Sequence, residues 1–139
     1  MKNWNVKSHS NNRIYAQPHY FVLNKGLNAG KPLKEPCPNC FVILFYSEEV
    51  AQEYYFIQLA LWKANFWKPF LIGSVIPFLR LDDFKSYFEL KTSQMLQDYK
   101  AHQKDVNQLK RILEFETNQY KKMLLIKELK KAIIYRMCL

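Results

Sequence analysis

Residues 82–139 contain neither proline nor glycine. Nothing in that stretch forces the backbone out of a helix, since proline breaks helices and glycine weakens them most among the other residues. The C-terminal part of the chain is therefore expected to be helical, opened by Asp82 or Asp83 as a cap. One unbroken helix of that length is unusual in a compact domain. A break is expected near Thr92-Ser93, where either residue can cap a second helix. From Val106 onward large apolar side chains return at helical spacing. Ile112, Gln119, Ile126 and Ile133 form a strict seven-residue ladder, and Phe115, Met123, Leu129 or Lys130, and Met137 run beside it. Such a ladder is the pattern of a coiled coil or a helical hairpin.

All 6 prolines and all 3 glycines precede residue 82, so the first half is punctuated differently. Residues 1–13 are polar and expected to be loose. Residues 14–24 contain a strand around Tyr20–Leu23, with Pro18 at its start or on an edge. Residues 25–40 form a turn-rich connection. FVILFY, residues 41–46, is a continuous apolar run that suits a buried strand. Ser47 then caps a helix, with Glu48 and Glu49 at its positive end. This helix is expected over 47–67, ended by Lys68-Pro69. Val50, Tyr54, Ile57, Leu61 and Ala64 make one apolar stripe on it; Tyr55, Leu59, Trp62 and Phe66 make a second. A helix apolar over most of its circumference is buried on several sides. Residues 69–81 are expected to be extended or in short turns against the core. The pattern gives an α+β fold in a single domain over 1–139. A small N-terminal sheet from 14–46 packs on a buried helix over 47–67, and long C-terminal helices follow over 82–139.

A chain of 139 residues with 49% hydrophobic and 16% aromatic content can bury a real core without disulfides or metal. The polar start MKNWNVKSHSNN lacks a secretory apolar region, and no apolar run is long enough to span a bilayer. A cytoplasmic protein without integral membrane association is expected. The formal charge of +9 is uneven. Residues 1–40 carry six Lys or Arg against one acid, residues 41–81 three of each, and residues 82–139 twelve against eight. Basic ends around a neutral, apolar middle suit contact with nucleic acid or an anionic surface, and equally suit a lysine-rich solubilising surface.

Four motifs invite chemistry. NKGLNAGKPL, residues 24–33, is nearly a phosphate cradle, but Gly26 and Gly30 are spaced wrongly, Pro32 replaces the magnesium-binding hydroxyl, and no helix start follows. The glycines are expected to supply positive φ in a wide turn, leaving Lys25, Lys31 and Lys34 as an anion-binding surface. Cys37-Pro-Asn-Cys40 has the shape of half a zinc knuckle. Its completion would need two ligands from His9, His19, His102 and Cys138, so two structural cysteines are the simpler account. WKANFWK, residues 62–68, interleaves rings with lysines as single-strand binders do, although Trp62 and Phe66 continue the core stripe. KKMLLIKELKKAIIYR, residues 121–136, is a basic amphipathic helix carrying Lys121, Lys122, Lys127, Lys130, Lys131 and Arg136. The adjacent acids Glu48-Glu49 and Asp82-Asp83 are explained by helix starts, and no nucleophile–base set is visible.

KGLNAGKPL followed by PCPNCFVILFY resembles the front end of an uncharacterised family of short bacterial proteins associated with mobile genetic elements, mainly over residues 20–90. The resemblance implies no activity; it implies a setting near DNA transfer or maintenance.

Together these features favour a non-enzymatic binding or assembly protein that forms a homo-oligomer through its helices. Nucleic acid is the candidate partner for its basic ends, through Lys25, Lys31, Lys34 and the six cationic residues of 121–136. The alternatives are an enzyme whose site is unrecognised and a small structural zinc module on Cys37 and Cys40. No catalytic residue and no cofactor other than that zinc is expected.

Overall fold

The computed structural model describes residues 3–139, which form two compact units that divide between Gln97 and Asp98. The first unit is a four-stranded antiparallel sheet with two helices. Strands β1 (Trp4–Ser8), β2 (His19–Leu23), β3 (Pro32–Leu33) and β4 (Cys40–Phe45) lie in the order β1-β4-β2-β3. The second unit is one helix.

Strand β4 sits between β1 and β2, which is why its sequence is apolar without alternation. Its two faces serve different clusters. Phe41, Ile43 and Phe45 join Trp4, Val6, Tyr20 and Val22 in the main core. Cys40 and Val42 face the other way with Phe21, against Tyr15, Leu33, Cys37 and Leu44. Register follows this alternation: Trp4 pairs with Phe45, Val6 with Ile43, and Tyr20 with Ile43 from the other side.

Two expectations for the first 40 residues are corrected. Within 1–13, Trp4–Ser8 is a strand, because Trp4 and Val6 are apolar alternates that the polar neighbours hid; residues 1 and 2 lie outside the described residues. Within 25–40, Pro32–Leu33 pairs with β2, an edge position where proline's missing N–H is tolerated.

Helix α1 (Glu48–Lys63) starts as its sequence dictates, with Val50 N–H donating to Ser47 Oγ at 3.2 Å. It ends five residues short of Lys68. Asn65 takes a positive φ of 59°, Asn65 N–H donates to the Trp62 carbonyl at 3.0 Å, and Phe66 N–H donates to the Leu61 carbonyl at 3.0 Å. That is a left-handed cap closed by paired hydrogen bonds. Pro69 therefore terminates nothing; it sits in a single 3-10 turn, Lys68–Phe70. Ala51, Tyr54, Ile57, Gln58 and Leu61 form the buried stripe, while Tyr55 and Trp62 of the second stripe are only half-buried.

Residues 71–80 fold back through an Ile72–Phe78 bridge, and a Lys25–Phe78 bridge ties them to the glycine-bearing turn. Helix α2 (Leu81–Met95) carries Asp82 and Asp83 in its first turn, and Arg80 Nε donates to Asp83 Oδ2 at 3.0 Å. Phe84, Phe88 and Thr92 recur every fourth residue on its buried face. The helix does not break at Thr92-Ser93, because Thr92 Oγ1 donates back to the Phe88 carbonyl at 2.7 Å within the helix instead of capping a new one. The break comes after Met95, and Asp98 caps the next helix by accepting from Ala101 N–H at 3.2 Å.

Aromatic stacking holds the core of the first unit. Trp67 stacks on Phe84 with centroids 4.8 Å apart, Phe84 on Phe88 at 5.2 Å, and Trp4 meets Phe88 edge-on at 5.1 Å. Gly30 presses on this stack. At its φ of 98° an added Cβ would fall 2.3 Å from Trp67 Cδ1. The second unit is α3 (Tyr99–Met137), 39 residues in one helix, about 58 Å long.

Candidate functional site

The glycine-bearing stretch turns a corner, as its spacing predicts. Gly26 and Gly30 have positive φ, and Gly30 N–H donates to the Leu23 carbonyl at 2.7 Å, closing a hairpin loop between β2 and β3. A two-residue strand follows it and no helix, so the loop leads into no helix N-terminus.

The loop nonetheless forms one wall of a shallow pocket of about 240 Å³. Leu27, Asn28 and Ala29 face Trp62, Lys63, Asn65, Trp67 and Lys68 across it. The half-buried Trp62 ring carries two cations, with Lys31 Nζ 5.3 Å and Lys63 Nζ 5.8 Å from its centroid. Lys34 lies 5.8 Å from the neighbouring Tyr55 ring. WKANFWK is thus split: Phe66 packs against the core and Trp67 lies within it, whereas Trp62 stays at the surface beneath lysines. The second apolar stripe of α1 is the signal that concealed this, since core packing accounts for Phe66 but not for Trp62.

Of the residues singled out as cationic contacts, Lys31 and Lys34 share the α1 surface. Lys25 is exposed and held by its backbone at the Phe78 bridge. Lys121, Lys122, Lys127, Lys130, Lys131 and Arg136 are all exposed on α3. They do not share one face. At seven residues per two turns, Lys122 and Arg136 fall in the row of Phe115 and Leu129, inside the apolar stripe, while Lys127 and Lys131 fall on the opposite side.

Cys37 and Cys40 lie at the corner leading into β4. The Cys40 thiol donates to the Cys37 carbonyl at 3.1 Å, and burial pushes its pKa up to about 11. A thiol held neutral in this way is a poor nucleophile. Among the described residues, no three His, Cys, Asp or Glu side chains are grouped to hold a metal ion. His9 and His19 instead flank the Phe21 ring, at 5.1 and 5.2 Å between centroids, and His9 Nδ1 lies 3.0 Å from the Tyr15 hydroxyl. Burial likewise raises the Tyr20 phenol well above its ordinary pKa, and its O–H donates to the Tyr54 carbonyl at 3.2 Å.

Helix α3 carries an exposed apolar stripe. Ile112, Phe115, Met123, Ile126, Leu129, Ile133 and Met137 are all exposed, Ile126 by 58% and Phe115 by 64%. Among the described residues, no helix is long and apolar enough to cross a membrane, so this stripe is not a bilayer span.

Fold and surface define a small α+β protein: an antiparallel sheet packed on two helices, followed by a long amphipathic helix. The chain matches the model of a family described as "Family of unknown function (DUF6943)" over residues 6–136, and it belongs to that family. The match assigns no activity. No curated protein matches the chain, and no solved structure matches it.

Proposed function

We propose that this chain is a non-enzymatic assembly protein that associates with itself through α3. The observation that supports this is the run of exposed large apolar side chains along one helix, from Ile112 to Met137. Contiguous apolar surface on that scale is costly in water and marks an interaction site. A helix gains most of its stability from packing an apolar face, and α3 offers one over several turns. The test is light scattering of the purified chain at tens of micromolar: a dimer or larger species is expected, and a strict monomer overturns the proposal.

A second contact, with nucleic acid, is favoured by the Trp62 surface. A half-buried indole flanked by Lys31 and Lys63, with Lys34 and Lys68 nearby, has the composition of a stacking platform for a single strand. Lys127 and Lys131, opposite the apolar stripe, stay available to phosphates when the stripe is engaged. Binding of an oligonucleotide that weakens steeply with salt, and falls on Trp62→Ala, is the expected result. Absence of binding at low salt removes this contact and leaves self-association standing.

A further inference from the structure

The α3 stripe is directional. Counting by sevens, one inner row is Asp105, Ile112, Gln119, Ile126 and Ile133, and the row three residues on is Gln108, Phe115, Lys122, Leu129 and Arg136. All of these side chains are exposed. They occupy the positions that meet across a two-helix coiled coil. Both rows mix large apolar with charged or amide residues, so what each meets on a partner decides which arrangement forms.

We infer that, granted the self-association proposed above, α3 pairs with the α3 of a second copy in antiparallel orientation, with Ile112 against the partner's Leu129 and Phe115 against the partner's Ile126. The same register sets Asp105 against the partner's Arg136 and Gln119 against the partner's Lys122. Apolar residues meet apolar ones, and opposite charges or an amide meet the charges. Only Gln108, against the partner's Ile133, is mismatched. Because the pairing is two-fold symmetric, every contact occurs twice.

A parallel pair in register does the opposite. Each inner residue then meets its own copy, which stacks Asp105 on the partner's Asp105, Lys122 on the partner's Lys122 and Arg136 on the partner's Arg136. Three like-charge contacts in a partly desolvated seam are strongly unfavourable. The antiparallel pair converts two of them into Asp105–Arg136 attractions and leaves Lys122 beside a neutral amide, its stem on apolar neighbours and its head free to reach water. It also keeps Lys121, Lys127 and Lys131 on outward faces. The charged interruptions in the stripe thus act as orientation determinants, a role polar residues at seam positions commonly serve.

Cross-linking distinguishes the orientations. In a Cys37→Ser, Cys138→Ser background, where Cys40 remains buried, Ile112→Cys and Leu129→Cys variants are oxidised separately and as a mixture, with light scattering on each. The expected result is a dimer in every sample and a disulfide-linked dimer only in the mixture, because the two Ile112 positions of an antiparallel pair are about 25 Å apart along the axis. A linked dimer from Ile112→Cys alone overturns the orientation while self-association survives. Dimers with no linkage in any sample overturn the Ile112–Leu129 register while self-association survives. Monomers throughout overturn both. As an independent check, Asp105→Arg is expected to weaken the dimer about tenfold by setting Arg against the partner's Arg136, and adding Arg136→Asp is expected to restore it to within about threefold. A parallel pair cannot give that rescue.

Discussion

Phe88 and Ile126 are both large apolar residues on amphipathic helices, yet the first is fully buried and the second is 58% exposed. Helix α2 lays Phe84, Phe88 and Thr92 on an aromatic stack completed by Trp4 and Trp67. Helix α3 carries more large apolar residues than α2, yet His102 is its one buried side chain. Interior packing gives the first unit a self-sufficient core. The second unit leaves large apolar side chains, from Ile112 to Met137, exposed. The difference teaches that composition alone does not separate a core from an exposed apolar face: both are apolar, and what separates them is whether the chain itself supplies the covering residues.

Predictions that strain this contrast differ in size. Phe88→Ala empties a fully buried site in the aromatic stack and is expected to cost about 3–5 kcal/mol in denaturant unfolding. A loss below about 1 kcal/mol would mean that α2 is not part of a close-packed core. Gly30→Ala combines a left-handed backbone with a clash against the Trp67 ring, and about 3 kcal/mol of destabilisation is expected. Gly26, also at positive φ but with nothing within 4 Å of an added Cβ, is the control and is expected to lose only about 1 kcal/mol on the same substitution. Equal losses at the two glycines would break the close-approach account. Ser47→Ala removes the α1 cap and is expected to cost about 1 kcal/mol by the same measurement.

The smallest effect concerns pH. Burial lifts the Cys40 thiol from 9.0 to about 11, so the native state holds that proton more tightly than the unfolded chain does. The associated stability is fully present below about pH 9 and declines as pH rises through about 11. The raised Tyr20 phenol acts in the same direction at still higher pH. Unfolding midpoints measured between these limits should fall with pH, and less steeply for Cys40→Ala. An unchanged slope would show that the thiol does not contribute.

Much of the fold is legible in the sequence wherever a local signal coincides with a tertiary need. The FVILFY run forms a strand buried on both faces as far as Phe45, with Tyr46 exposed beyond its end, and Ser47-Glu48-Glu49 opens a helix where it says it does. The two glycines adopt the positive φ their turn demands. The misreadings have physical causes. The alternation of Trp4 and Val6 is too short to stand out from polar neighbours, and only pairing with β4 makes it a strand. Asn65 can take the left-handed conformation, so α1 stops at an internal cap before proline is reached. Thr92 can cap or bond back, and buried beside Phe88 it bonds back. On the candidate surfaces, the sequence distinguishes lysine-bearing stretches but not their faces. The heptad rows reveal that Lys122 and Arg136 belong to the apolar stripe, whereas a basic run read along the chain merges them with Lys127 and Lys131. Trp62 was hidden because its stripe also contains Phe66, which does pack inward.

The central claim, that the first unit carries the fold while α3 carries association, is tested most directly by comparing the wild-type chain with Ile126→Asp/Ile133→Asp by light scattering across a concentration series, with denaturant unfolding run in parallel on monomeric samples. The account predicts a wild-type dimer and a double variant that stays monomeric at concentrations at least tenfold above the wild-type dissociation constant, with the unfolding of the first unit shifted by no more than about 0.5 kcal/mol. A wild-type monomer, or a double variant that dimerises as tightly as the wild type, would contradict it.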